Sequence, residues 1–484
     1  MNTHKNDTIA SHKNRGQHQK NALTYKLQNA RGHILSILGR ILFIGFSIQI
    51  VLGLLWMCDA FRGIQTFAES YLYVNATKNF KLDEYMSALY PLLLMLFRGL
   101  ETITTLSYTI PFFVLQLVTA FVAGFYFLQK AGVSASFWKC WGSLVFMTFP
   151  MAMQCHMAVL PHSLANSLLI LEIAFLFEVI KEKEKQVVRT WLKALIFWFL
   201  SANLMPEYLY LGAVPLLLVF FYIAITDRKN LGRKVWYCLL LLMAFAGMIS
   251  GIHAITQDKG SYGRVHNSIE AALFRRCIWT DLETFYSEWP PEKQAIFDEA
   301  EIIDVISCAD KMELYLQPKL EAILGVEEAR EWFGEMVVYA MKTGRQQIIK
   351  EVAWDMIGYL LPPVAVDLFL EGRGYDSYCP RNYEVMRQSA PTLTRNYMQY
   401  VSWWFTIAVA ITVVMQLLSV SSNRKHFLLM GGVMMITAGV IAVWYTLQGS
   451  GVWDYKRGFF TGLVWLMWAV WHTARRSEEE KQDN

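Results

Sequence analysis

Residues 106–128 read LSYTIPFFVLQLVTAFVAGFYFL, a run without a charged side chain. A helix needs roughly 20 apolar residues to cross the hydrocarbon core of a bilayer, so this run is long enough to span one. Similar runs recur, too long and too uniformly apolar for the alternating strands of a membrane barrel. The sequence therefore predicts about ten transmembrane helices, at Ile34–Met57, Leu106–Leu128, Phe137–Met157, Leu164–Ile180, Trp191–Leu204, Tyr208–Ile225, Val235–Ile255, Tyr397–Val420, Phe427–Leu447 and Phe459–Trp471.

The composition agrees with a membrane protein. Of 484 residues, 55% are hydrophobic and only 17% are charged, and a soluble domain has little use for so much apolar surface. The net charge of +4 does not indicate a partner, and we expect the chain to bind the lipid bilayer and no nucleic acid. The seven cysteines show no CxxC or Cys/His spacing, which argues against a zinc site and a dense disulfide framework.

Basic residues between the apolar runs predict the orientation of the helices. They occupy the amino terminus and every second connection, at Lys130 and Lys139, 181–189, 228–234, Arg424 and Lys425, and Arg475 and Arg476. Because cytoplasmic connections are enriched in Lys and Arg, both termini are predicted to be cytoplasmic. The chain is thus expected to be an all-α, polytopic transmembrane bundle in a bacterial-type plasma membrane.

The same topology places a long polar stretch, 256–396, on the outer face. Pro290 and Pro291 mark a helix start, and amphipathic spacing predicts helices at 295–309, 311–324, 327–342 and 346–370. The expected order is a basic tail (1–33), helices one to seven (34–255), the outer helical domain (256–396), helices eight to ten (397–473) and a tail (474–484). The first outer loop, 59–105, contains a short broken helix at 84–98 that is expected to lie in the membrane interface.

Two carboxylates of the first outer loop are candidate general bases. Asp59 ends the first helix, and Glu69 follows among aromatic and apolar neighbours. A carboxylate in such a setting gains proton affinity, which suits it to accept a proton at an interface. Asp83 and Glu84, in contrast, are interpreted as solvated loop residues.

The segment beginning Glu69-Ser-Tyr-Leu-Tyr-Val-Asn-Ala and continuing to Leu89-Tyr-Pro-Leu-Leu-Leu resembles the first outer loop of GT-C class glycosyltransferases. These multi-helix enzymes use lipid-phosphate-linked sugars. The class has an acidic residue before a Tyr and an Ala at this spacing, followed by a Tyr-Pro amphipathic helix. Here the motif acid is Glu69 while Asp59 occupies the helix end, so either is a candidate for the base. Many members carry their soluble domain last, whereas this chain carries it between helices seven and eight.

Polar residues at the predicted outer helix ends are candidates for substrate binding. Six of them are His156, His162, Asn166, Glu207, Tyr208 and His253. They are either hydrogen-bonded interfacial residues or the lining of one polar cavity. Glu172 lies deeper, near the middle of the fourth run, where ionisable residues are costly and often mark function. It is either a protonated glutamate bonded to a neighbouring helix or a transport residue.

A last outer turn, Gly449-Ser-Gly-Val-Trp-Asp-Tyr-Lys-Arg-Gly, contains two cations that oppose the positive-inside trend. Lys456 and Arg457 suit a lipid phosphate, one as a point charge and the other as a bidentate fork. In the alternative interpretation, Asp454 merely neutralises one of them. Arg264, Arg275 and Arg276 are further sources of positive charge.

The resulting hypothesis is a glycosyltransferase that moves a sugar from a polyprenyl-phosphate donor to an envelope glycan or protein on the outer face. Asp59 or Glu69 would be the base, and Lys456 and Arg457 would bind the phosphate. No cofactor is predicted, and the use of a divalent metal is left open. Three alternatives stay open: an envelope polysaccharide polymerase or ligase, a transporter using Glu172 and His253, and a non-catalytic assembly protein.

Overall fold

The computed structural model describes residues 4–60, 68–79, 87–104, 107–156, 158–181, 187–226, 231–256, 270, 273–274, 286–287, 289–299, 317–360, 391–418, 425–447 and 464–474. Within these ranges the chain is all-helical and contains no strand, which confirms the all-α part of the predicted fold class.

Long apolar helices occur toward both ends of the chain, and a group of shorter helices separates them. The first part contains α1 (His4–Ala60), α2 (Ala68–Asn79), α3 (Leu89–Thr104), α4 (Thr109–Lys130), α5 (Ser136–Met147), α6 (Pro150–His156), α7 (His162–Lys181), α8 (Val187–Leu204), α9 (Tyr208–Leu211), α10 (Ala213–Thr226) and α11 (Leu231–Thr256). Then follow α12 (Pro291–Glu299), α13 (Gln317–Leu324), α14 (Val326–Thr343), α15 (Arg345–Leu360), α16 (Pro391–Leu418), α17 (Lys425–Leu447) and helical residues 464–474.

Four helical stretches in the described chain are long and apolar enough to cross a membrane: Ala30–Cys58, Thr109–Lys130, His162–Ile180 and Tyr208–Ile225. Shorter apolar helices cover Cys238–Ile252, Trp403–Leu418 and Gly431–Thr446. One face of α1 exposes Ile34, Ile37, Ile41, Ile44, Ile48, Val51 and Leu55, at steps of three and four residues. An exposed apolar stripe of this length is the surface that a helix presents to lipid rather than to water.

Helix α7 is the centre of the bundle. In the most apolar 18-residue segment of α7, 83% of the segment is buried inside the protein. In the other three stretches, the corresponding share is 33–39%. It packs against α4 and α8 on its flanks and also contacts α6, α10 and α17. At its carboxyl end, Glu178 forms an ion pair with Lys130 (2.7 Å), and Lys193 lies 5.2 Å from the ring of Phe175. Lys130, from a predicted cytoplasmic connection, and Lys193, from the predicted run Trp191–Leu204, therefore lie at the same end of α7.

The third predicted transmembrane run, Phe137–Met157, is divided into α5 and α6. Pro150 has no N–H, so Phe149 donates instead to the Phe146 carbonyl (3.3 Å), and the helix is interrupted. The Val145 carbonyl, which Phe149 would bond in a continuous helix, accepts from Gln49 Nε2 of α1 (3.1 Å). A polar side chain buried in the bundle thus stabilises the break.

The sixth predicted run is also divided, because α9 ends at Gly212 before α10 begins. The indole of Trp198 donates to the Tyr208 carbonyl (3.1 Å), and the Gly212 amide donates to the same carbonyl (3.0 Å). A Cβ at position 212 would lie 2.7 Å from the Trp198 ring, so only glycine fits here without displacing the indole. The Trp198 indole of α8 thus packs on the break between α9 and α10.

The helices between α11 and α16 contain their own aromatic core. Phe274, Trp289, Phe297, Trp332 and Phe333 are buried against one another. Helix α12 begins at Pro291, as the two prolines predict, and α14 matches the predicted helix over 327–342. Tyr286 donates to both oxygens of Asp298 (2.6 and 2.7 Å), and this bond raises the pKa of Tyr286 to about 12. Residues 300–316 and 361–370, which belong to the predicted helices of this stretch, lie outside the described part.

Close contact between α1 and α16 requires a glycine, which gives a stability prediction. A Cβ added at Gly45 would lie 2.2 Å from the Trp404 ring, and the Gly45 carbonyl accepts from Tyr400 Oη (3.0 Å). We expect Gly45→Ala to destabilise the protein by about 1–3 kcal/mol, because overpacking displaces the indole.

Thermal unfolding in detergent, followed by size-exclusion chromatography, measures this loss. Gly247→Ala is the control, because no atom lies within 4 Å of its added Cβ and both changes gain the same helix propensity. Equal unfolding temperatures for the two variants would contradict the packing of α1 on α16.

Candidate active site

A buried polar cluster lies at the amino-terminal end of α7, opposite the Lys130–Glu178 ion pair. It consists of Gln116, His156, Ser163, Asn166 and Tyr208, and each of these side chains is at most 2% exposed. They come from α4, α6, α7 and α9, which are distant in sequence. Ser163 and Asn166 precede Glu178 by 15 and 12 residues of α7, so the cluster and the ion pair are separated along the helix by roughly 20 Å.

Gln116 and His156 connect α4, α6 and α7. The Nε2 of Gln116 donates to the carbonyls of His156 and Ala158, both at 3.0 Å, which fixes the orientation of the amide. The Nδ1 of His156 lies 2.7 Å from Ser163 Oγ. The Oε1 of Gln116 is buried and bonds to no residue in the described ranges. The cluster therefore holds the end of α6 against α7 and keeps one acceptor unused.

Asn166 and Tyr208 form the second half of the cluster. Tyr208 donates its hydroxyl to Asn166 Oδ1 (2.7 Å), and Asn166 Nδ2 donates to the His162 carbonyl (2.8 Å). The carbonyl of Tyr208 is held by the Trp198 indole of α8. These bonds bring together the amide of Asn166, the hydroxyl of Tyr208 and the start of α7 at His162. All of these groups suit hydrogen bonding to the hydroxyls of a neutral ligand.

Glu207 brings a carboxylate to the edge of the cluster. Its Oε2 accepts from the hydroxyl of Tyr445 at the end of α17 (3.0 Å). Tyr445 is fully buried, whereas Glu207 is partly exposed. Glu207 directly precedes Tyr208, and the hydrogen bond from Tyr445 holds its carboxylate from a helix more than 200 residues away in the sequence.

Helices α2 and α3 cover this end of the bundle, and we name them together the α2–α3 cover. Tyr73 of α2 packs against Ala158 and Leu160 in the segment leading into α7. Its ring lies 4.9 Å from Tyr90 of α3, and Tyr90 lies 5.5 Å from Phe112 of α4. Burial, and then the neighbouring Tyr73, raise the pKa of Tyr90 well above its usual value, so its hydroxyl remains protonated.

The structure brings together four of the residues that the sequence predicts as substrate-binding. His162, Asn166, Glu207 and Tyr208 all lie at this end of α7, and three of them are buried. Their binding of a substrate stays a prediction. His253 belongs to α11, but its side chain lies outside the described residues, as do Arg264, Lys456 and Arg457 entirely.

The two candidate bases are described by backbone alone. Asp59 lies in the last turn of α1, and Glu69 lies in α2, one turn before Tyr73. Their side chains lie outside the described part. Glu69 therefore belongs to a helix that packs against the segment leading into the cluster, while the position of its carboxylate stays a prediction.

Sequence analysis missed Gln116, Ser163 and Tyr90. Gln116 is a lone amide in the apolar run at 106–128, and a lone amide in such a run is a signal for a buried hydrogen bond across helices. Ser163 directly follows His162, and no pattern in the sequence indicates a hydrogen bond for its side chain. Tyr90 belongs to the Tyr-Pro motif of α3, and that motif does not indicate that its hydroxyl is buried.

Glu172 lies in α7, six residues beyond Asn166 and below the cluster. It is completely buried, and neither carboxyl oxygen hydrogen-bonds to any residue that the structure describes. The predicted bond to a neighbouring helix is therefore absent from this part of the chain. A charge there would lack a partner, so the fold accommodates the neutral acid.

Within the described ranges, no group of three or more His, Cys, Asp or Glu side chains is arranged to hold a metal ion. Comparison with known proteins found no matching family model, no similar curated protein and no similar solved structure.

Proposed function

We propose that this chain is a multi-pass plasma-membrane glycosyltransferase that uses a polyprenyl-phosphate-linked sugar. The observation that supports the proposal is the packing of α2 beside the buried polar cluster. Tyr73, one turn after Glu69, contacts the segment that leads into His162 and Asn166. The helix with the motif carboxylate and the helix ends with neutral polar groups thus belong to one end of the bundle.

The proposed reaction assigns a task to each group. Asp59 or Glu69 takes the proton of the acceptor hydroxyl, whose oxygen attacks the anomeric carbon of the sugar. The bond between that carbon and the phosphate oxygen breaks, and polyprenyl phosphate leaves. Lys456 and Arg457 stabilise the charge that develops on the phosphate. Asn166 and Tyr208 bind sugar hydroxyls, since an amide and a phenol both donate and accept.

A product assay tests this proposal. The full chain is reconstituted in vesicles that contain polyprenyl-phosphate sugars extracted from cell membranes, together with a cell-envelope acceptor fraction. We expect free polyprenyl phosphate to accumulate only when the protein is present, as measured by mass spectrometry. An unchanged ratio of free to sugar-linked lipid would contradict sugar transfer.

The proposal includes an orientation in which both termini are cytoplasmic and the cluster faces outward. The motive is the alternation of Lys- and Arg-rich connections along the sequence. Single cysteines placed at positions 230 and 374, in a chain without native cysteines, test it with an impermeant thiol reagent. We expect labelling in intact cells at 374 and none at 230, and the reverse pattern would overturn the orientation.

A transporter is a second candidate, favoured by Glu172. A buried carboxyl that no described residue bonds is what a site for a translocated proton requires. The two functions predict different results for Glu172→Gln. A transporter would lose solute uptake into vesicles, whereas a glycosyltransferase would release polyprenyl phosphate at an unchanged rate.

A further inference from the structure

The buried polar cluster is closed in this structure, although its proposed ligand must reach it from outside. Gln116, Asn166 and Tyr208 are all fully buried. The α2–α3 cover closes this end through Tyr73 against Ala158 and through Tyr90 against Phe112. Beyond this aromatic contact, Ser87, two residues before α3, donates its hydroxyl to the Asn203 carbonyl at the end of α8.

The two helices of the cover are bonded to each other, so the cover can move as one body. Arg98 of α3 donates to Thr77 Oγ1 of α2, and the rings of Tyr73 and Tyr90 pack edge to face. On its other side α3 exposes apolar residues, among them Leu92, Leu96 and Ile103. The cover is therefore braced internally, and the exposed apolar side of α3 is the surface that would face lipid.

The closed state leaves hydrogen bonds unmade beneath the cover. The hydroxyl of Tyr90 and the Oε1 of Gln116 are both buried, and neither bonds to a described residue. An unmade buried hydrogen bond costs a factor of roughly 5 to 150 in an equilibrium constant, from about 1–3 kcal/mol. Lifting the cover would let water or a ligand hydroxyl satisfy Tyr90, so this residue disfavours closure.

We propose that the α2–α3 cover is a lid, and that the unbonded hydroxyl of Tyr90 biases it toward opening over the buried polar cluster. A hydroxylated acceptor would enter when the lid lifts and would take the hydrogen bonds that closure leaves unmade. This rests on the proposed function for the identity of the ligand. The motion itself is independent of any reaction.

Cys155 reports the opening, because its thiol belongs to α6 and is only 1% exposed. It lies close enough to Tyr90 and Tyr208 to interact electrostatically with both. In a chain whose only cysteine is Cys155, the rate of modification by methyl methanethiosulfonate follows the fraction of open molecules. Mass spectrometry of the protein in native membranes measures that rate without turnover, so a failed lid and a failed glycosyltransferase give separate results.

Two variants are expected to change the rate in opposite directions. Tyr90→Phe removes the unbonded hydroxyl, stabilises the closed lid and slows labelling about tenfold. Ser87→Ala removes the bond to Asn203 and accelerates labelling about fivefold. Thr102→Ala is the control, since its hydroxyl bonds only within α3, to Gly99. Slower labelling in Tyr90→Phe with faster labelling in Ser87→Ala supports the lid, and any other combination overturns it.

Discussion

Glu69→Gln or Asp59→Asn, one of the two, is expected to abolish sugar transfer while leaving the folded protein intact. Each change keeps the size of the side chain and removes its ability to accept a proton. Loss of a positioned general base typically lowers the rate by ~10²–10⁴-fold. Release of polyprenyl phosphate from reconstituted vesicles measures the loss, and thermal unfolding of each variant measures folding.

Glu69→Gln is the first variant to make, because α2 packs through Tyr73 on the segment that enters the cluster. Asn75 of the same helix provides a control. It is exposed and precedes Ala76, which is buried against Ala88, so Asn75→Ala should leave transfer unchanged. If both acid variants transfer sugar at the rate of the parent protein, the assignment of the base is wrong and the transporter becomes the leading hypothesis.

Glu172→Lys is expected to be the most damaging single substitution for the fold. Position 172 is fully buried, and nothing in the described chain bonds to its side chain. An ammonium group there would be an uncompensated charge in the most buried of the candidate spans, which typically costs about 3–5 kcal/mol. We expect little or no folded protein by size-exclusion chromatography.

Glu172→Gln is the matched comparison, because it keeps the shape of the neutral acid. It should fold like the parent, since the carboxyl makes no hydrogen bond to a described residue that the amide would lose. Equal damage from Gln and Lys would show that the fold depends on an ionised Glu172 with a partner. Tolerance of Lys would show that this position reaches water.

The long uniform helices were predictable from hydropathy, and the interruptions were not. Runs such as 106–128 and 164–180 correspond closely to α4 and α7. The run at 137–157 is equally apolar, yet Pro150 interrupts it. Proline in a membrane helix is often tolerated when a neighbour satisfies the freed carbonyl. Here Gln49 performs that task from α1, a contact across 96 residues that no local pattern reveals.

The candidate site was partly predictable for a similar reason. Topology assigns helix ends to one side of the membrane. On that basis His162, Asn166, Glu207 and Tyr208 were candidates either for separate interfacial hydrogen bonds or for one polar cavity. Which atoms bond is decided by tertiary packing. Gln116 reaches the carbonyls of α6 only because α4 and α7 run side by side in the same direction, and Tyr90 is buried only because α3 folds back onto α4.

Binding of a short-chain polyprenyl phosphate to the purified protein tests the central claim most directly, since this lipid is the common product whatever the sugar. We expect it to bind, and the uncharged polyprenol to bind much more weakly. Changing both Lys456 and Arg457 to Gln should lower the affinity at least tenfold, because charge-assisted bonds to phosphate contribute roughly 1.5–3 kcal/mol each. Asp454→Asn should leave the affinity unchanged or raise it. Equal affinities for the phosphate and the alcohol would contradict a polyprenyl-phosphate glycosyltransferase.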